Sequence, residues 1–307
     1  MPPTPPLACA VYISSGLPSI AARASVAARA AAVPGECAVV DTFCDAAYAR
    51  SSVKLVGSAA PLLRAARAAA EAALSAVDLS LEPHPAPHPR QGAVDMVAFM
   101  PLSEERCEAI AGQLESCDDL AWQLGASLGG LGVPVLMYGG RAGRSLLATR
   151  RGTSFFASTR RAAPREAAAE LPFDFGPEEL PQRSGVSIVG AMPYVTNYNI
   201  QVEAATLADC RVAAAAVREE FGVQVMALPH EEGTHEIGCN LQAARGRDSP
   251  PTRLVLEAVR ASLPRGAQVA KEYVVGLTPG EALGRFCGEA AAPPPNAPWR
   301  YDCSLDS

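Results

Sequence analysis

The feature that most constrains this chain is a repeat in the order of its apolar patterns. Residues 7–13 read as a strand, and residues 18–33, alanine-rich with one polar face, read as a helix. Residues 37–43 and 52–57 read as two more strands, 59–77 as a second long alanine-rich helix, and 93–102 as a strand. That order, β-α-β-β-α-β, is the split βαβ pattern. One or two helices follow within 103–131, then an apolar strand at 133–138. Residues 139–181 are polar, arginine-rich and irregular, an excursion plus linker. So long a segment inside a compact protein is usually functional or partly helical.

The second half repeats the order. Residues 185–191 and 194–202 read as two strands or one bent strand, and 207–221 as a helix. Residues 224–228 and 235–241 form a hairpin around Glu231-Glu232-Gly233, followed by a helix at 252–263 and a strand at 268–277. Thr278-Pro279 then caps and starts a last helix, with proline where its missing N–H costs nothing. The expected fold is α/β (α+β): two split-βαβ, ferredoxin-like subdomains with mixed sheets packed face to face and helices outside. Residues 1–180 and 181–288 are the expected subdomains, with 289–307, rich in alanine and proline, a loose tail. Helices on one side of each sheet leave a bare face, expected to be apolar, and two such faces would cover each other around a ligand cleft.

Hydrophobic residues make up 49% and charged residues 19% of the 307, a globular composition. No apolar run approaches the ~20 residues that span a bilayer, so no membrane is expected. The net charge of −6 argues against a phosphate-binding surface and hence against nucleic acid. The exception is the cluster Arg141, Arg144, Arg150, Arg151, Arg160, Arg161 and Arg165, either a solvated loop or a contact for an acidic ligand or partner. Nine cysteines without a CxxC pair fit reduced thiols. The proline-rich start, residues 1–7, is too short for a signal or transit peptide. The cytosol is therefore the expected compartment, with an organelle as the alternative.

The strongest local signal is the loop His84-Pro85-Ala86-Pro87-His88-Pro89-Arg90-Gln91-Gly92, which holds two of the four histidines between prolines. A residue before proline is biased to an extended backbone, so the loop is stiff. His88 is suited to move protons near neutral pH, and Arg90 to hold a carboxylate bidentately. A structural or surface role for both is the alternative reading. His230-Glu231-Glu232-Gly233-Thr234-His235-Glu236 tempts a zinc reading, but HExxH needs histidines four apart on a helix. A polar hairpin, and no metal site, is expected there. Gly130-Leu131-Gly132 and the P-loop-like run from Gly139 to Ser145 read as turns.

His88-Pro89-Arg90-Gln91-Gly92-Ala93-Val94-Asp95 resembles the HPRxGAxD segment of the formiminotransferase family, and continues into Phe99-Met100-Pro101 as it does. Tyr138-Gly139, Asp174-Phe175-Gly176-Pro177, Gly190-Ala191, Tyr198-Asn199-Ile200, Asn240-Leu241 and Val275-Gly276-Leu277-Thr278-Pro279 follow in the family's order, so the likeness covers roughly residues 8–287. The resemblance implies two facing α/β subdomains and transfer of a formimino or formyl group between glutamate and N5 of tetrahydrofolate. It implies His88 as the catalytic acid–base. It places substrate and folate contacts at Arg90, Arg50, Gly190, Ala191, Tyr198, Asn199 and Asn240. It implies tetrahydrofolate as co-substrate without a metal, formiminoglutamate or formylglutamate as donor, and a homodimer. Polar groups of the family are replaced by Phe43, Ala49, Pro87 and Met192-Pro193, changes that threaten the donor more than folate. The other class of function is a non-catalytic folate-binding or protein-interaction module on the same scaffold.

Overall fold

Alternating apolar residues build each strand, and alanine-rich stripes let the helices lie close to them. In the computed structural model of the protein, residues 5–46, 48–81, 90–102, 107–153, 171–230, 233–243 and 248–288 are described. The first half runs β1 (Leu7–Ile13), α1 (Pro18–Ala31), β2 (Cys37–Asp45), β3 (Arg50–Gly57), α2 (Ala59–Ala76) and β4 (Val94–Pro101). Then come α3 (Cys107–Gly130), β5 (Val135–Tyr138), α4 (Leu146–Arg151) and β6 (Ser187–Ala191). The second half runs β7 (Thr196–Glu203), α5 (Leu207–Phe221), β8 (Gln224–Pro229), β9 (His235–Leu241), α6 (Thr252–Ser262), β10 (Gln268–Val275) and α7 (Pro279–Cys287).

Two sheets result, of six strands in the order β2-β3-β1-β4-β6-β5 and of four in the order β10-β7-β9-β8. Reading β8-β9-β7-β10 against β2-β3-β1-β4 shows the same split-βαβ order twice. Within those four-strand sets all neighbours are antiparallel. β6 joins β4 and β5 by parallel pairing. The chain divides into two compact units between Met192 and Pro193, with Ser103–Ala111 counted in the second and Ala282–Ser307 in the first. β6 follows the linker in sequence yet belongs to the first sheet, so it and β7 are separate strands of different sheets.

In the first unit, Cys9, Val11, Val53, Leu55, Val97, Phe99, Val135 and Val189 pack beneath alanines and leucines of α1, α2 and α3. Ala65, Ala69 and Ala73 of α2 are fully buried, since only a small side chain lets helix and sheet approach so closely. In the second unit, Tyr198, Ile200, Ile237 and Cys239 pack under Ala213 and Val217 of α5 and Val255 and Val259 of α6. α5 starts at a capping box in which Thr206 and Asp209 exchange hydrogen bonds. Thr278 and Glu281 do the same for α7.

The face away from these helices is largely apolar on the first sheet, as the sequence led us to expect, and polar on the second. On the first sheet that face presents Ala8, Ala10, Val56, Ala98 and Met100 with Lys54, Ser52 and Tyr12 among them, the register setting Asp41 opposite Lys54 and Lys54 opposite Ala10. On the second it presents Asn197, Asn199, Gln201, Asn240 and Glu236. No helix among the described residues is long and apolar enough to cross a membrane.

Candidate functional site

The expected acid–base, His88, lies outside the described residues together with His84 and Pro87, but the segment that follows it is fixed in detail. Arg90 is buried, and its Nη2 donates to the Leu79 carbonyl at 3.2 Å. Gly92 passes so close to Val186 that a Cβ would stand 2.2 Å from the Val186 carbonyl oxygen, so no other residue fits. Asp95, 2% exposed, turns back on its own loop, its Oδ1 accepting from the Gln91 N–H at 2.7 Å and the Gly92 N–H at 3.4 Å. The glycine and aspartate of the HPRxGAxD-like segment thus hold its backbone in place.

Asp95 is also where arginines from two elements meet. Arg150 of α4 donates from Nη2 to Asp95 Oδ2 at 3.0 Å. Arg50, at the start of β3, has Nη2 3.8 Å from Asp95 Oδ1, and its Nη1 donates to Ser14 Oγ at 2.7 Å. The Gln91 side-chain amide donates to Thr153 Oγ1 at 2.8 Å and to the Arg150 carbonyl at 3.1 Å, tying α4 to the same loop. Burial pulls the Arg50 pKa below the usual guanidinium value; Asp95 opposes this, and the charges of Arg150 and Arg90 add to it. Desolvation pushes the Tyr12 hydroxyl up to about 12, with Arg150 acting in the opposite sense. A buried guanidinium is tolerated only where anions or acceptors meet it, so this knot of cations is chemically suited to a carboxylate.

Gly190 and Ala191 sit on β6. Gly190 lies beneath Tyr138, where a Cβ would meet the Tyr138 carbonyl oxygen at 2.2 Å and its ring at 2.6 Å. The Tyr138 hydroxyl, its pKa raised chiefly by burial, donates to Met192 Sδ at 3.4 Å. Leu146, Leu171 and Phe173 pack over this end of the first sheet, so the described ends of the 139–181 excursion lie on it. Ala191 points the other way, into the core under the helices.

On the second sheet Asn199 and Asn240 share the face away from the helices, whereas Tyr198 does not. Its ring joins the core, 2% exposed, and its hydroxyl has no hydrogen-bond partner among the described residues. The polar face forms a chain of bonds. Asn197 Nδ2 donates to Asn240 Oδ1 at 2.8 Å, and Asn199 Nδ2 to Glu236 Oε1 at 2.9 Å. The Tyr273 hydroxyl donates to Glu236 Oε2, and His230 Nε2 lies 3.8 Å from the same oxygen. Gln201 Nε2 donates to Thr234 Oγ1 at 2.8 Å. The hairpin closes through the His230 N–H to the Thr234 carbonyl at 3.0 Å, with Glu231 and Glu232 outside the described residues.

The arginine-rich segment is not simply a solvated loop. Arg141 stacks 4.5 Å above the Trp122 ring, Arg144 pairs with Asp174, and Arg150 pairs with Asp95. Arg160, Arg161 and Arg165 lie outside the described residues. The Asp174-Phe175-Gly176 run acts as a clasp. Asp174 accepts from the Met137 N–H at 2.7 Å, Phe175 meets Trp122 edge-on at 5.4 Å, and Gly176 at φ +88° lies against Val133.

The structure therefore brings Arg50 and Arg90 into one knot, and Asn199 and Asn240 onto one face. Gly190 is covered by Tyr138, and Ala191 and Tyr198 belong to cores. Sequence reasoning missed Arg150 as Asp95's partner, because the two are 55 residues apart with no shared motif. It also missed the polar hub at Glu236, although the alternation Asn197-Tyr198-Asn199-Ile200-Gln201-Val202 carried that signal. Of the family departures, Phe43 is buried opposite Ser52, and Ala49 takes a left-handed φ of +49°.

Comparison with known proteins agrees with this anatomy. Residues 6–192 match the formiminotransferase domain, N-terminal subdomain, ending at the boundary of the first compact unit. A formiminotransferase cyclodeaminase-like protein of Arabidopsis thaliana is 32% identical over 294 residues, covering 91% of this chain and 95% of that protein. A glutamate formimidoyltransferase of Thermoplasma acidophilum is 29% identical, covering 80% of this chain and 79% of that protein. A formimidoyltransferase-cyclodeaminase of Sus scrofa is 29% identical over 75% of this chain and 37% of that protein.

Proposed function

The chain belongs to the formiminotransferase domain family, and from that premise we propose that it is a folate-dependent one-carbon transferase. It moves a formimino or formyl group between glutamate and N5 of tetrahydrofolate, with His88 as general acid and base. The observation that carries this reading is the pinned segment after His88. Gly92 and Asp95 fix the backbone, and Arg90 is anchored on Leu79, so the histidine two residues earlier starts from a rigid base. In the transfer, the N5 lone pair attacks the electrophilic carbon of the donor, and the C=N π pair moves to nitrogen. His88 takes the N5 proton and gives it to the glutamate nitrogen; the displaced pair then returns to re-form the double bond as the C–N bond to glutamate breaks, giving the N5-substituted folate and glutamate. Imidazole suits this shuttle near neutral pH. Arg50 and Arg90 hold carboxylates, and Asn199 and Asn240 offer amides to the folate.

A second reading, folate binding without turnover, is favoured by Phe43, an apolar buried side chain where the family carries aspartate. One experiment separates the two. Purified protein is assayed for transfer from formiminoglutamate and from formylglutamate to tetrahydrofolate, and titrated with 5-formyltetrahydrofolate. We expect turnover that His88→Ala lowers by about 10²–10⁴-fold, while His230→Ala and His235→Ala act much less. Turnover indifferent to His88 removes it from the mechanism. Folate binding with no turnover from either donor establishes the second reading.

A further inference from the structure

The proposed function leaves the arginine-rich excursion without a part in ligand binding. Three observations single out Arg150 within it. It comes from a short helix far along the chain, yet it reaches the Asp95 carboxylate that Arg50 also approaches, at 3.0 and 3.8 Å on different oxygens. Its backbone carbonyl is bound by Gln91, next to Arg90, so its position is coupled to the loop that carries His88. Its side chain is 17% exposed and that of Arg50 is 11%, against 2% for Asp95, so the two arginine side chains are more open to solvent than the carboxylate between them. Arg141 and Arg144 differ, being committed to Trp122 and to Asp174.

Two guanidiniums flanking a buried carboxylate, on side chains more exposed than it is, are suited to receive a second carboxylate. The buried Asp95 holds both forks in place, so little side-chain freedom is lost when the ligand arrives. We propose that Arg150, with Arg50, is the specificity-determining pair that grips a glutamyl carboxylate of the ligand. The inference rests on the proposed function for the identity of that ligand. Glutamyl carboxylates occur both on the one-carbon donor and on the tail of the folate, and the test distinguishes them.

Calorimetry compares the wild type, Arg150→Met, Arg150→Lys and Arg141→Met. The ligands are formiminoglutamate, 5-formyltetrahydrofolate and 5-formyltetrahydropteroate, the last without a glutamate. Arg150→Met is expected to weaken formiminoglutamate or 5-formyltetrahydrofolate by about 10- to 100-fold, the worth of one charge-assisted contact. Pteroate affinity should stay unchanged. Arg150→Lys should fall between, keeping the charge without the fork, and Arg141→Met should match the wild type. Loss of formiminoglutamate affinity alone assigns the site to the donor, and loss of the folate advantage over pteroate assigns it to the tail. An equal loss for all three ligands, or no loss for any, overturns the proposal. If the wild type binds none of them, the proposed function falls and glutarate decides Arg150 independently. A glutarate-dependent rise in melting temperature that Arg150→Met abolishes sustains the proposal, and no rise in the wild type overturns it.

Discussion

On the first sheet, the face turned from the helices sets the buried charge of Lys54 among apolar residues, while on the second the corresponding face is organised by amides. The first sets Lys54 opposite Asp41 and leads to the Arg50–Asp95–Arg150 knot. The second pairs Asn197 with Asn240 and Gln201 with Thr234 by neutral bonds, and Asn199 with the buried acid Glu236. Both sheets have the same β-α-β-β-α-β order, so topology did not dictate this difference. Strand order follows from which residues alternate toward the helices, and the residues in between are free to carry whatever chemistry the protein needs.

The largest effect expected from this contrast concerns the two buried acids. Asp95→Ala strands Arg150 and the loop N–H groups, and should cost about 3–5 kcal/mol in urea unfolding, the usual penalty for breaking a buried pair. Glu236→Gln keeps an acceptor for Asn199 or Tyr273 and should cost about 1–3 kcal/mol. Equal costs would erase the distinction between the two faces.

The paired glycines on these faces sharpen it further. Gly190→Ala drives a methyl into Tyr138 and should cost about 1–3 kcal/mol by overpacking. At Gly238 a Cβ would find Asn199 Oδ1 at 3.4 Å, an ordinary contact, so Gly238→Ala should stay within about 0.5 kcal/mol of the wild type. A tolerated alanine at residue 190 would mean that Tyr138 moves aside and that the glycine there is free for a ligand.

The smallest expected effect is the same in both units. Ala49 at φ +49° and Ala204 at φ +53° adopt the left-handed region that alanine disfavours. Replacing either by glycine should raise stability by about 0.5–1 kcal/mol, the relief of backbone strain less the added chain entropy. Opposite signs at the two sites in thermal unfolding would show that one of them is held by contacts that glycine loses.

The duplicated element order was legible because each strand alternates and each helix carries an alanine stripe. The partner of a short strand was not. After Ser187, Ile188-Val189-Gly190-Ala191 is apolar, as strands covered on both faces are, and nothing local says that it enters the first sheet in parallel between β4 and β5. The sites divide in the same way. Arg50, Arg90 and Asn199 stand in recognisable segments, whereas Arg150 reaches Asp95 across 55 residues by tertiary placement alone. Tyr198, which the resemblance places among the folate contacts, is sent by strand periodicity to the side opposite Asn197 and Asn199.

β2 is one of the two edge strands of the six-stranded sheet, and its register skips Val40 between Val39 and Asp41. Arg285, near the end of α7, donates to the Val40 carbonyl at 2.7 Å across 245 residues of sequence. A ribosome adding roughly 5–20 residues per second needs about 12–49 s to cover that interval. For that time the nascent first unit presents a bulged, uncapped edge to whatever is nearby, and open edges are where strands recruit foreign partners. α7 therefore works as a delayed seal on that edge. Until it arrives the edge is open to mispairing, and that period lengthens when translation of the second unit slows.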